Sequence, residues 1–413
     1  MTKKVFIDCT STYNCGLNTG IQRTVRNIAS SLILNNYSNV YLVFYHKGSY
    51  YRFFEFPEVN IDSNRNKFKI VLKRVYKTIR NIFSIIPIFK RAMLNPKLTL
   101  FLNKFYDMAF KKNTILNNEK VSIKKGDTLL MIDSAWSDMD FKHLRELKSC
   151  DVKIVPVVYD LIPISYPEYC SEDLVSLFNY WIKNILSISD KFFTISKDVK
   201  KSLLLHFKEL EEKKVDYFYL GCDFKNNSYD EQNINSGYKN IFNTKNVFIT
   251  VSTIEPRKNH NYILEAFEKL WSKNIDVKYV IIGRIGWKVD DFISRVKNHK
   301  QYNKNLFIFN NIDDEHLLYA YKNSKALIFA SYIEGFGLPI IESLHNKLQV
   351  LASDIGIHRE IGRDFVSYFN LNDINSLAKL IEDDNFNKNI DDFKWISWEE
   401  SAKDLIEKVL KAE

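Results

Sequence analysis

Residues 326–342 read ALIFASYIEGFGLPIIE, and the way this stretch must fold sets the class of the whole chain. ALIFAS is a run of strand length, apolar on both faces, as in a buried parallel sheet. A helix continuing through EGFGLP would carry Gly335, Gly337 and Pro339 in its interior, where glycine costs about 1 kcal/mol and proline about 3 kcal/mol. The strand must therefore turn before a helix begins. Pro339 suits the first helical position, where its fixed φ is helical and its missing N–H is not needed. Gly335 and Gly337 let the backbone approach a ligand, and the helix amino terminus offers N–H groups and a positive dipole end to an anion. Glu334 and Glu342 bracket the turn. Carboxylates would repel a phosphate that they faced, so these two are expected to address neutral hydroxyls or a developing cation, such as a ribose and a sugar.

The same alternation runs outward in both directions. VFITVS, VKYVIIG, NLFIFN and LQVLAS are further buried-strand runs, and the first leads to a helix from about Asn259 to Trp271 with an apolar stripe of Ile263, Phe267, Leu270 and Trp271. In the first half, VFIDCT, VYLVFYH, TLLMID, VKIVPVVYD, KFFTIS and VDYFYL alternate with helix-length stretches such as IQRTVRNIASSLIL and KDVKKSLLLHF. Residues 223–240, DFKNNSYDEQNINSGYKN, lack apolar periodicity and read as a linker. The expectation is an α/β chain of two doubly wound domains, over 1–225 and 241–392, with ligands held in a cleft at the carboxyl ends of the strands.

Composition agrees. The chain has 413 residues, 46% hydrophobic and 26% charged, enough for two cores of a globular protein. No apolar run approaches the roughly 20 residues of a membrane-spanning helix, and MTKKVFIDCTST reads as neither a leader nor an anchor. Cys9, Cys15, Cys150, Cys170 and Cys222 are scattered, without Cys-x-x-Cys spacing, which points to a reducing cytoplasm and to neither disulfides nor zinc. The net charge of +9 is concentrated: residues 64–113 carry thirteen Lys/Arg against one acid, Asp107, a local +12 that leaves the remainder at −3. That segment mixes cations with Ile, Leu, Phe and Val at nearly helical spacing, which suits an anionic membrane surface rather than nucleic acid.

Chemistry gathers at strand ends. In STIEPRKNH, residues 252–260, Arg257 and Lys258 follow a strand and precede a helix, where two cations suit a diphosphate. From VSTIEPRKNHNYILEAFEKLW through VIIGRIGW and ASYIEGFGLPIIESLHNKLQVLASDIGIHREIGRD, and on to the closing WISWEESAKDLIEKVL, the second half resembles the family four glycosyltransferases of the GT-B fold, with their Glu-x7-Glu signature. The resemblance implies that Arg257 and Lys258 neutralise a diphosphate leaving group and that backbone at Gly335, Phe336 and Gly337 supports the phosphates. It places Glu334 near the donor sugar and Glu342 on the ribose. It also implies a closing helix, over 393–413, that crosses back to the first domain.

GLNTGIQRTVRN, residues 16–27, looks like the glycine loop of a surface-polysaccharide branch, with Gly16 and Gly20 approaching donor or acceptor and Arg23 nearby; a simple strand-to-helix turn is the competing reading. VVYDLIPISYPEYC, residues 157–170, resembles the segment facing the donor sugar. Many relatives carry histidine before its aspartate; Tyr159 stands here, which shifts weight to Asp160. Asp138-x-Asp140 opens a helix pattern and reads as capping rather than a metal site, and the eight histidines show no ligand spacing, so neither a metal nor a cofactor is expected. His358, in GIHREIG, lies in or beside a helix, with a structural role or an approach to the cleft both open.

The expected activity is retaining transfer of a hexose or deoxyhexose, mannose, rhamnose or similar, from a nucleotide diphosphate sugar to a growing, lipid-linked bacterial surface glycan. It would take place at the cytoplasmic face of the cell membrane. A nucleotide-sugar epimerase on the same fold and a noncatalytic membrane-docking subunit are the alternatives.

Overall fold

A computed structural model describes residues 3–15, 20–35, 37–57, 95–96, 118–134, 136, 139–223, 228–244, 246–310 and 312–411. Apart from Asn95 and Pro96, the basic segment 64–113 lies outside the described residues, as do Gly16 and Asp138. The chain divides into two units: Met1–Thr194 with Leu203–Phe218 and Ala402–Glu413, and Ile195–Ser202 with Tyr219–Ser401. Among the described residues no helix is long and apolar enough to cross a membrane.

The second unit is built on six strands: β9 (Val247–Val251), β10 (Lys278–Ile282), β11 (Leu306–Phe309), β12 (Ala326–Phe329), β13 (Gln349–Ser353) and β14 (Ser367–Phe369). All pairings are parallel and the order is β11-β10-β9-β12-β13-β14. The order reverses between β9 and β12. At such a switch point the helices following the two strands leave to opposite faces and open a crevice at the strand ends. Phe248, Tyr279, Leu306 and Ile328 lie in the core with Ile263, Phe267 and Leu270 of the helix His260–Ser272, so the predicted stripe is the buried one.

The first unit holds β1 (Val5–Asp8), β2 (Val40–His46), β3 (Ser49–Arg52), β4 (Lys120–Val121), β5 (Thr128–Met131), β6 (Lys153–Val158), β7 (Phe192–Thr194) and β8 (Val215–Tyr217), in the order β4-β3-β2-β1-β5-β6-β7-β8. From β2 to β8 the sheet is parallel, and its switch point lies between β1 and β5. The edge differs from the expected all-parallel sheet: β3 pairs antiparallel with β2 through a tight hairpin, and β4 antiparallel with β3. Lys47 and Gly48 make that turn at positive φ.

Three local readings change. Thr10, the last residue of the strand-like VFIDCT, instead opens a short helix, Thr10–Cys15, whose Thr12 N–H and hydroxyl both donate to Asp133 just past the end of β5. The stretch read as linker contains the helix Ser236–Phe242: Asn235 caps it through Gly237 and Tyr238, and Tyr238, Ile241 and Phe242 are buried. Its asparagine is cap chemistry rather than linker composition. Pro339 stands second in the helix Leu338–His345, after Leu338, where its missing N–H is equally harmless. Asp140 does cap the helix Phe141–Ser149, accepting from the His143 N–H. The closing helix Trp398–Lys411 divides between the units: the Ser401 hydroxyl donates to the Tyr219 carbonyl within the second, and Lys408 to the Tyr217 carbonyl within the first.

Asp8, the last residue of β1, is buried and accepts from the N–H and the hydroxyl of Thr10. Burial outweighs those bonds and, with Asp133 nearby, raises its carboxyl to about 6. The native chain then holds a proton between about pH 4 and 6 that the unfolded chain releases, so this group's share of stability falls as pH rises through that window. Asp8→Asn is expected to gain stability on the parent between pH 4 and pH 7.5, by about 3 kcal/mol at most. Urea unfolding at the two pH values reads the difference; a pH-independent difference contradicts the assignment.

Candidate active site

The loops at the β9–β12 switch point are tied together through their backbones. After β9, Ser252 N–H donates to the Ile282 carbonyl and Ile254 N–H to the Arg284 carbonyl, while Gly286 N–H returns to the Ile254 carbonyl. Gly283 makes this approach possible: its φ is 148°, and a Cβ there would lie 1.8 Å from the Ser252 carbonyl oxygen. Tyr332 N–H, after β12, donates to the Arg257 carbonyl. The β9 loop closes in a 3₁₀ turn, Pro256–Lys258, and Asn259 at φ 56° leads into the next helix.

Within this frame Glu334 meets both cations. Its Oε2 lies 2.8 Å from Nη1 of Arg257, and its Oε1 accepts from the Lys258 ammonium. Nη1 of Arg257 also donates to the Ile333 carbonyl at 3.1 Å, and its Nη2 lies 2.6 Å from Glu255 Oε1. Glu255, Lys258 and Glu334 are buried, and the Lys258 ammonium sits 4.7 Å from the centre of the Phe329 ring. Burial by itself would raise the Glu334 carboxyl; the charges of Arg257 and Lys258, with the hydrogen bond from Lys258, overcome it and hold the group well below the usual carboxylate range. Burial lowers the Lys258 ammonium despite Glu334. Four charged groups thus form one compact cluster of two cations and two anions.

The glycine turn stands beside it. Gly337 caps the helix Leu338–His345 at φ 108°, and a Cβ there would reach within 3.0 Å of Ile361 Cδ1. The Gly335 carbonyl accepts from the Ser196 hydroxyl at 3.0 Å, and the Phe336 ring is buried near Tyr219 and Trp395, which leaves backbone as what this turn can offer a ligand. Glu342, one turn into the helix and 3% exposed, accepts from the Tyr321 hydroxyl at 2.8 Å. His358 is fully buried; its Nδ1–H donates to the Ser353 carbonyl, burial lowers it to about 4, and Nε2 has no hydrogen-bond partner among the described residues. It is a neutral imidazole.

The remaining sequence-predicted residues belong to the first unit. Asp160, two residues ahead of the short helix Ile162–Ser165, accepts from the Ile162 N–H. Tyr159, where a histidine was expected by resemblance, is buried and donates its hydroxyl to the Ile132 carbonyl. Gly20 opens the helix Gly20–Leu34 in an exposed position with nothing within 4 Å of an added Cβ, so no close approach requires glycine there. Sequence reasoning missed Glu255 and Asp133; the signal for each was an acid at or just past a strand's carboxyl end.

Residues 231–391 match the model of the family described as glycosyl transferases group 1. The chain is 32% identical over 266 residues to the serotype-specific mannosyltransferase WbdA of Escherichia coli, across 60% of this chain and 32% of WbdA. It is 23% identical over 226 residues to the O-antigen chain mannosyltransferase RfbU of Salmonella typhimurium, across 54% and 59%. It therefore spans about a third of the length of WbdA. Among solved structures, Anabaena HepE in complex with UDP and glucose superposes with a TM-score of 0.56 at 11% identity, covering 100% of this chain and 97% of that one. Sucrose-phosphate synthase from Thermosynechococcus elongatus gives 0.59 at 13%, covering 100% of both. At such identities the likeness is one of fold, the GT-B architecture of two doubly wound units.

The depressed Glu334 carboxyl carries a stability consequence. Its share is present above the ordinary glutamate value of 4.5 and is lost as pH falls below that. Glu334→Gln is expected to cost about 3 kcal/mol or more at pH 7, and less at pH 4, measured by urea unfolding. A cost that grows on acidification would contradict the ion-pair assignment.

Proposed function

We propose that this chain, whose residues 231–391 form a glycosyl transferases group 1 domain, is a retaining hexosyltransferase that takes its sugar from a nucleotide diphosphate donor. The observation that carries the reading is the Arg257–Lys258–Glu334 cluster at the β9–β12 switch point, beside a helix amino terminus opened by Gly337. Cations, backbone N–H groups and a carboxylate converge where open α/β sheets bind ligands.

In this reading Arg257 and Lys258 take the donor's diphosphate and stabilise the negative charge that grows on it as the glycosidic bond breaks. Glu334 yields part of its hold on them and turns to the sugar, where a carboxylate favours the positive charge of an oxocarbenium-like transition state. Glu342 accepts the ribose hydroxyls in place of the Tyr321 hydroxyl. Retention follows if the acceptor hydroxyl attacks on the face that the diphosphate leaves, with a leaving oxygen taking its proton; no nucleophilic side chain is required. By the resemblance, Asp160 is assigned to the donor sugar, and the segment around Gly16 and Gly20 to donor phosphate or acceptor. Mannose is the first sugar to test, since WbdA and RfbU are named mannosyltransferases. The acceptor is a lipid-linked glycan, reached at the cytoplasmic membrane face through the basic segment 64–113, and no metal takes part.

Hydrolysis and transfer over a panel of nucleotide sugars test the donor assignment. Arg257→Ala and Lys258→Ala are each expected to lower kcat by about 100-fold or more, with acceptor KM little changed; near-parent turnover in both overturns the assignment. Isomerisation of the donor without acceptor would point instead to an epimerase. The purified chain is expected to sediment with anionic vesicles at low salt and to release at high salt; indifference to such vesicles removes the membrane role of 64–113.

A further inference from the structure

Glu255 is a buried acid that no motif assigns. It is 3% exposed, and its backbone neighbours are fixed on both sides: Ile254 is bonded through its N–H and its carbonyl to Arg284 and Gly286, and the Glu255 carbonyl accepts from the Lys258 N–H. A Cβ on Gly286 would lie 2.6 Å from the Ile254 carbonyl oxygen, so glycine there lets the loop close tightly against the residue that precedes Glu255. The carboxylate can then reach Nη2 of Arg257 at 2.6 Å, while Glu334 and the Ile333 carbonyl hold Nη1. Its charge also favours the Lys258 ammonium.

We propose that Glu255 is a positioning residue that fixes Arg257 from behind and offsets half of the cationic charge, so that the site holds a nucleoside diphosphate loosely enough to release it after each transfer. The proposal rests on the donor-site reading above. Glu334 sits on the other loop and can be exchanged for phosphate; Glu255 belongs to the same turn as Arg257 and remains as its permanent counter-charge. With both carboxylates withdrawn, the buried Lys258 and the half-buried Arg257 would face the diphosphate uncompensated and the product would leave slowly. With Glu255 in place, the net charge opposite the diphosphate is near +1.

The test is calorimetric binding of uridine and guanosine diphosphates to the full chain, with the parent nucleosides as controls. Glu255→Gln keeps an oxygen that can accept from Arg257 and removes the charge. It is expected to bind the diphosphate about tenfold tighter, with a steeper salt dependence, unchanged nucleoside affinity and a lower kcat. Glu255→Asp keeps the charge but retracts it by one methylene; it is expected to bind no tighter than the parent and to turn over more slowly as Arg257 loses its brace. Diphosphate affinity that is unchanged or weaker in folded Glu255→Gln overturns the proposal. Should that variant not fold, parent-like kcat and KM in Glu255→Asp overturn it, and slowed turnover at parent-like affinity upholds it. If the parent chain binds neither diphosphate, the donor-site reading fails and this proposal with it; binding by the parent without the Glu255→Gln effect removes this proposal alone.

Discussion

The ion pair of Glu334 with Arg257 and Lys258 is the constraint on which the site depends, because it joins the loops after β9 and β12 at the reversal of strand order. A buried ammonium or guanidinium is tolerated only with a partner, and removing one member of such a pair is far costlier than the pair itself is stabilising. The backbone ties around it give the geometry little freedom: Gly283 permits the β9 and β10 loops to touch, and Tyr332 fastens the β12 loop to Arg257. Charge complementarity and loop docking therefore specify the same arrangement. What the cluster leaves for a ligand is an exchange of partners, since an anion entering here would compete with Glu334 for the same donors.

That exchange accounts for a feature that would otherwise look contradictory. Two glutamates beside a glycine turn that suits an anion look ill placed when read along the chain, yet each has a protein partner: Glu334 has the cations and Glu342 the Tyr321 hydroxyl. Both therefore have protein partners in a buried setting without needing a ligand to satisfy them.

Much of the fold was legible because it rests on local signals. Buried parallel strands announce themselves as apolar runs, and Gly335, Gly337 and Pro339 leave only a strand–turn–helix. What escaped depends on distant partners or on residues with two meanings. SYYR at β3 is too short and too polar to read as a strand until Lys120–Val121 pairs with it from far along the chain. The asparagines before Ser236 look like linker, although Asn235 is a helix cap. In the site, the nearness of Arg257 and Lys258 to the Glu334 turn followed from strand-end logic, but the direct pairing across 76 residues did not. Glu255, preceding a proline, reads as an ordinary surface turn until its burial is seen.

The central claim is that the loops after β9 and β12 together hold a diphosphate. Amide hydrogen exchange with and without a saturating nucleoside diphosphate tests it most directly. The account predicts slowed exchange in residues 252–259 and 330–341 together, and no comparable change at β13 or β14. Protection confined to the first unit, or absent from both loops while the nucleotide is bound, would contradict it.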